Sequence, residues 1–244
     1  LALTLLRTQE IYRPFHIWHR LERPDWQTLR GFARLGIPTG LAITVEVTSF
    51  TLMALFIARL GTVAAASHQV ATSITALLYM MPLSLGIAAS ARVSFWRGAG
   101  EPALARQALR LGLQLALALS LSCALILVTL HELLARLFAG PNPPVAALAG
   151  SLLLWVAAYH VADSIQAVSV FILRSYGIAT ATLVVYCLLL WGVGLGGGYV
   201  IAYQGLAGLE PLRTPAAFWG AGATALALTA AAFTTLLWRV ARRH

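Results

Sequence analysis

Residues 145–173 read VAALAGSLLLWVAAYHVADSIQAVSVFIL, a run with one acidic residue, Asp163, and no lysine or arginine. An α-helix needs about 20 predominantly apolar residues to cross the hydrocarbon core of a bilayer, and this run exceeds that length. It therefore predicts a membrane-spanning helix. Because a carboxylate is costly inside a bilayer, Asp163 is the first candidate functional residue.

Five other apolar runs of similar length flank this one, and Gly, Pro or Arg residues mark most of the gaps between them. Charged residues make up 10% of the chain and the mean hydropathy is +0.80, whereas a soluble domain carries about 25% charged residues. We therefore predict an all-α membrane protein, a bundle of six transmembrane helices. The runs lie near residues 35–58, 68–91, 108–130, 145–173, 178–203 and 216–238.

Arginine occupies all 17 Lys and Arg positions, and alternate loops carry very different numbers of it. Cytoplasmic loops of membrane proteins have an excess of Lys and Arg, so both ends of this segment are predicted to be cytoplasmic. The arginines form no basic face interleaved with aromatic residues, which argues against nucleic-acid binding. The richer set is Arg7, Arg13, Arg20, Arg23, Arg30, Arg34, Arg92, Arg97, Arg106, Arg110, Arg174, Arg239, Arg242 and Arg243, and the poorer set is Arg59, Arg136 and Arg213.

Residues 1–34 differ from the six runs. Ile11, Phe15 and Trp18 recur at helical spacing with basic residues between them, a pattern typical of a helix lying in the headgroup plane. The alternative is a plain soluble loop. We expect residues 1–34 to be the end of an upstream helix followed by a cytoplasmic amphipathic linker, and residues 35–244 to form the carboxyl-terminal six-helix transmembrane bundle.

Two acidic residues are predicted to lie deep in the bilayer, at similar depths. Glu46 follows Arg34 by 12 residues and Asp163 precedes Arg174 by 11, which is about 18 Å and about 16 Å of helix. Both distances start from the predicted cytoplasmic side. A charge at the centre of a spanning helix costs about 2.5–3.5 kcal/mol on the insertion scale, so we expect a functional reason for keeping both.

The helix around Asp163 carries a polar stripe, because Tyr159, His160 and Gln166 stand four before, three before and three after it. Gln69, near the start of the second run, is a further polar residue at a predicted span end. We take His160, Gln166 and Gln69 as candidate substrate-pathway residues, and the alternative role for Gln69 is an interfacial polar cap.

The two buried carboxylates suit the transient binding of a cation, because bound Na⁺ or an acquired proton relieves the cost of burying their charge. Na⁺ and H⁺ remain equal alternatives. The competing interpretation is a pair of acids satisfied by helix–helix hydrogen bonds. We predict no resident metal, cofactor or catalytic residue, since the sequence has no His-Glu-x-x-His motif, no second His/Cys cluster and no nucleophile–base pair.

Several segments, taken in order, resemble the carboxyl-terminal half of the MATE (multidrug and toxic compound extrusion) antiporters, especially their NorM-like bacterial branch. The resemblance extends over the whole chain and covers the family's seventh, eighth and tenth helices. The matching segments are Leu35-Gly-Ile-Pro-Thr-Gly40, Glu46-Val-Thr-Ser-Phe50, Leu60 to Val70, Met81 to Ala89, Asp163-Ser-Ile-Gln166 and Ile172-Leu-Arg174.

The resemblance implies the second half of a twelve-helix, two-lobe transporter in a bacterial cell inner membrane. It implies that Glu46, Asp163 and Tyr159 form a cation-binding and coupling site, and that a missing amino-terminal six-helix half completes a cleft for small-molecule drugs or organic cations. The implied function is multidrug efflux by antiport, exporting xenobiotics in exchange for Na⁺ or H⁺ through alternating access.

A lipid-linked oligosaccharide flippase of similar architecture is the alternative function. Such a flippase needs intramembrane basic residues to bind pyrophosphate, and the six runs carry none near the predicted midplane. A scaffold or a membrane enzyme is a weaker alternative, because a scaffold has no need of acids at the midplane.

Overall fold

The computed structural model describes residues 25–205 and 210–243, and within them six helices are long and apolar enough to cross a membrane. This confirms the predicted all-α architecture and its six spans. The helices are α1 (Trp26–Ala58), α2 (Thr62–Gly98), α3 (Pro102–Ala139), α4 (Pro143–Ser175), α5 (Thr180–Gln204) and α6 (Pro215–Arg243).

The helices extend well beyond the apolar runs that predict them. The 38 residues of α3 correspond to about 57 Å, nearly twice the hydrocarbon thickness of about 30 Å. The helices begin and end at capping residues rather than where each apolar run stops. Proline starts α3 and α4, and the Asn142 side chain accepts a 3.3 Å hydrogen bond from the Val145 N–H at the start of α4.

Contacts divide the chain into two units, Leu1–Arg34 and Leu35–His244. In the first unit the carboxylate of Asp25 caps α1 by accepting hydrogen bonds from the Thr28 hydroxyl and from the N–H groups of Gln27 and Thr28. These bonds lower the pKa of Asp25 below its ordinary value of 3.8, the hydroxyl having the largest effect. Residues 1–24, which include most of the predicted linker, lie outside the described residues, so that assignment stays a prediction.

Helix α4 is central in the second unit, because it packs along α2, α3 and α6 and nearly all of its residues from Ala162 to Leu173 are buried, whereas Leu154 and Trp155 are exposed. A helix that is apolar all round is stable only where neighbours surround it. Small residues allow the close approach: a Cβ on Gly86 of α2 would lie 2.7 Å from Cδ2 of Phe171. This central position encloses Asp163 and its polar neighbours within the bundle.

Helix α5 changes its winding along its length. It begins as an α-helix over Thr180–Tyr186 and then has π-helical segments over Cys187–Gly196 and Val200–Gln204. Gly198 brings it close to α6, since a Cβ there would lie 2.7 Å from Cδ1 and 3.1 Å from Cα of Phe218. The apolar run of the sequence carries no signal of the π turns.

Candidate functional site

The two predicted carboxylates lie within electrostatic range of each other, although α1 supplies one and α4 the other. Asp163 is buried, with 4% of its surface exposed, and Glu46 is half-buried. Neither forms an ion pair with the residues that the structure describes. The ion pair found among those residues joins Arg136 to Glu132. Two acids thus share the interior of an apolar bundle without a direct countercharge.

Asp163 is held by a short chain of hydrogen bonds. The amide Nε2 of Gln166 donates to Asp163 Oδ1 at 2.9 Å, and the hydroxyl of Tyr186 donates to Gln166 Oε1 at 2.6 Å. Gln166 and Tyr186 are each 1% exposed. The chain links α4 to α5, orients the Gln166 amide, and leaves the second oxygen of Asp163 without a hydrogen bond to the described residues.

Tyr159 lies on the same face of α4 and belongs to an aromatic cluster. Its ring makes edge contacts with Phe50 of α1, at a centroid distance of 5.9 Å, and with Trp219 of α6, at 5.4 Å. These contacts fix the tyrosine ring beside the carboxylates, and the charges of both Glu46 and Asp163 act on it.

A cavity of about 30 Å³ lies beside Glu46 and Tyr159, with room for one or two water molecules. Pockets for drug-sized ligands have volumes of about 300–1,000 Å³. The cavity can therefore hold water or a small cation, and it is too small for an organic substrate. Its other lining residues are Ser49, Phe50, Met53, Leu190, Gly194, Leu195, Phe218, Gly222 and Leu226.

Three further residues belong to this site and were missed by the sequence analysis. Tyr79 of α2 and Tyr186 of α5 both lie within electrostatic range of the two carboxylates, and Trp219 packs on Tyr159. One signal was available: a tyrosine hydroxyl inside an apolar run needs a polar partner when it is buried.

The structure separates the three candidate pathway residues. Gln166 joins the site directly through Asp163. His160 is 1% exposed, and neither ring nitrogen has a hydrogen-bond partner among the described residues. Gln69 is exposed on α2 and is not among the residues that line the cavity. Of the three, Gln166 alone hydrogen-bonds to either of the two carboxylates within residues 25–205 and 210–243.

The side-chain atoms of the site that could coordinate a cation are oxygens, namely those of two carboxylates and of the tyrosine hydroxyls. Across the described part of the chain, no three His, Cys, Asp or Glu side chains gather as metal ligands would. Carboxylate oxygens can bind a proton or coordinate a hard monovalent cation. The arrangement can therefore bind a proton or a small cation.

The family model described as MatE matches residues 38–200. The chain is 38% identical over 232 residues to a probable multidrug resistance protein NorM of Aromatoleum aromaticum, an alignment that covers 95% of this chain and 50% of the relative. It is 35% identical over 234 residues to the protein of the same description from Shewanella oneidensis, covering 92% and 50%. The chain thus spans about half the length of the curated relatives it matches.

Solved structures show the same fold at lower identity. A crystal structure of MATE in the bent conformation superposes with a TM-score of 0.83 at 14% identity, covering 99% of this chain and 53% of that one. A eukaryotic MATE transporter superposes with a TM-score of 0.80 at 21% identity, covering 98% and 53%. These matches confirm the predicted resemblance and a fold that corresponds to half of a MATE-type transporter.

Proposed function

Because this chain belongs to the MatE family, we propose that it forms the carboxyl-terminal half of a cation-coupled multidrug antiporter. Its curated relatives are described as multidrug resistance proteins. The observation that carries the proposal is the buried carboxylate of Asp163, within electrostatic range of Glu46 in an apolar bundle and without an ion pair to any described residue. Intramembrane acids of this kind mark ion or proton pathways.

In this mechanism Na⁺ or a proton is the coupling ion, and Glu46, Asp163 and Tyr159 receive it. Entry of the cation offsets the repulsion between the two carboxylates and supplies a countercharge closer than Arg174, which acts on Glu46 without forming an ion pair with it. Gln166 keeps one oxygen of Asp163 in a fixed position, so the arriving ion meets a preorganised partner and little reorganisation is needed.

The drug binds elsewhere, in a cleft between this bundle and a second six-helix half. The size of the cavity beside Glu46 supports the separation, because about 30 Å³ accepts an ion and excludes an organic molecule. Cation occupancy on this side then changes the affinity of the cleft for the drug by shifting the carrier between its inward-open and outward-open states, which is alternating access.

The membrane potential can drive such an exchange. One elementary charge moving through 100 mV releases about 2.3 kcal/mol, which corresponds to about a fiftyfold concentration ratio. If the drug carries one positive charge and exchanges one for one with the ion, this electrical contribution cancels. The concentration gradient of the ion alone then drives export.

The proposed location is the inner membrane of a bacterium, with both ends of this segment in the cytoplasm. The arginine distribution supports the orientation, and the bacterial relatives support the membrane. The flippase alternative is not favoured, because the curated relatives that match are described as multidrug resistance proteins.

The test uses the full-length protein in proteoliposomes loaded with a fluorescent cationic dye. We expect Asp163→Asn and Glu46→Gln to reduce dye efflux driven by a Na⁺ or pH gradient to the level of liposomes without a gradient. Glu132→Gln is the matched control, because Glu132 is an exposed acid paired with Arg136. Applying the two gradients separately identifies the ion. Undiminished gradient-driven efflux in Asp163→Asn and Glu46→Gln contradicts the assigned cation site.

A further inference from the structure

A cluster of arginines lies where the start of α3 meets the end of α6. Arg106 Nη1 donates to the carbonyl oxygen of Ala241 at 3.5 Å, and the Arg110 guanidinium lies 5.4 Å from the centroid of the Trp238 ring. Arg239 and Arg242 follow on the last turns of α6, and both are exposed. The tertiary fold thus joins two basic segments that are more than 120 residues apart in sequence.

The cluster is not neutralised by neighbouring acids. The described residues of these two helix ends include one carboxylate, Glu101, which precedes α3, against four arginines. An anion bound here would balance this excess of positive charge.

An apolar surface of α3 continues from the cluster. Helices α3 and α6 both pack along α4, and Arg106 and Arg110 contact α6 near its carboxyl-terminal end. By helical spacing, Leu113 and Leu117 extend the face of α3 that carries Arg106 and Arg110. A ligand with a negatively charged headgroup and an apolar tail matches the basic cluster and the apolar face of α3 that follows it.

We propose that this basic cluster, with the apolar face of α3 beside it, binds one anionic phospholipid of the membrane leaflet on that side. The headgroup phosphate accepts charge-assisted hydrogen bonds from Arg106 and Arg110, and an acyl chain lies along Leu113 and Leu117. Trp238, which contacts Arg110, is of the residue type that prefers the membrane interface. The apolar continuation favours a lipid over a free phosphate ion. The inference is independent of the proposed transport function.

The experiment is native mass spectrometry of the full-length protein in detergent, titrated with phosphatidylglycerol or with phosphatidylethanolamine. Each basic residue near an anionic headgroup contributes about 1 kcal/mol, so Arg106→Gln/Arg110→Gln should weaken the tightest phosphatidylglycerol site by about thirtyfold. The zwitterionic lipid should bind this site more weakly in wild type and respond less to the substitution.

The control is Arg30→Gln/Arg34→Gln, which removes the same charge at the same four-residue spacing from exposed positions of α1. It should leave phosphatidylglycerol affinity within about twofold of wild type, a change of less than about 0.5 kcal/mol. Arg106→Lys/Arg110→Lys keeps the charge and should retain most of the affinity, which separates loss of binding from misfolding.

Three results would overturn the proposal. The first is equal weakening by the control pair, which would indicate a nonspecific effect of net charge. The second is equal affinity of the site for the two lipids. The third is displacement of bound phosphatidylglycerol by inorganic phosphate at matched concentration, which would identify a site for free anions.

Discussion

Tyr186→Phe removes the hydroxyl that donates to Gln166 and leaves the ring in place. The lost hydrogen bond is 2.6 Å long, and both residues are 1% exposed, so water cannot replace the donor without repacking. A buried acceptor left without its partner costs about 1–3 kcal/mol. We therefore expect a loss of this size in the free energy of unfolding.

A double-mutant cycle with Gln166→Leu isolates the interaction. In the Gln166→Leu background there is no Oε1 to leave unpaired, so removing the Tyr186 hydroxyl should cost little. The coupling energy should be about 1 kcal/mol or more, within the range of about 0.5–3 kcal/mol found for residues in one hydrogen-bond network. Tyr199→Phe is the control, since the Tyr199 hydroxyl makes no hydrogen bond with the described residues.

The assay is thermal unfolding of the purified full-length protein in detergent, followed by tryptophan fluorescence for the wild type, the two single variants, the double variant and the Tyr199→Phe control. Dye efflux on the same variants reports whether the orientation of Gln166 matters for the carboxylate it binds. Equal destabilisation by Tyr186→Phe in the wild-type and Gln166→Leu backgrounds would refute the reasoning, because it would mean that the hydrogen bond contributes nothing specific.

Two further predictions concern packing and capping. Gly198→Ala should destabilise the protein by about 1–3 kcal/mol, because its Cβ would meet the Phe218 backbone at 3.1 Å. The control Gly192→Ala on the same helix meets nothing within 4 Å and should be neutral or stabilising by up to about 1 kcal/mol. Equal melting temperatures of the two variants would contradict the close approach of α5 and α6. Asn142→Ala should cost about 0.5–2 kcal/mol by removing the cap of α4, and Asn142→Asp, which keeps the acceptor, should retain stability in the same melting assay.

The fold could be predicted from sequence because the signal is compositional. A long apolar run such as residues 145–173 favours the bilayer core, where no water is available. A spanning helix satisfies the hydrogen-bonding capacity of its backbone N–H and C=O groups there. The helix ends were predicted less well, since they depend on caps such as Asn142 and on arginines that remain helical in the headgroup region. The π turns of α5 have no signature in hydropathy.

The site was predicted in part. Glu46 and Asp163 are conspicuous because an acid in an apolar run is costly, and Tyr159 and Gln166 follow from helical spacing around Asp163. Tyr79 and Tyr186 stand on other helices, where no spacing rule relates them to Asp163.

The sequence by itself determined that this chain has six helices long and apolar enough to cross a membrane and that two of their apolar runs each retain an acid, because apolar length and charge are properties of each segment alone. The tertiary structure decided that α4 is central, that the Tyr186 hydroxyl reaches Gln166, and that the cavity beside Glu46 has a volume of about 30 Å³. Those features depend on how far apart two helices pack and how each is rotated about its axis. Helix separation and rotation come from side-chain fit between segments that are distant in sequence.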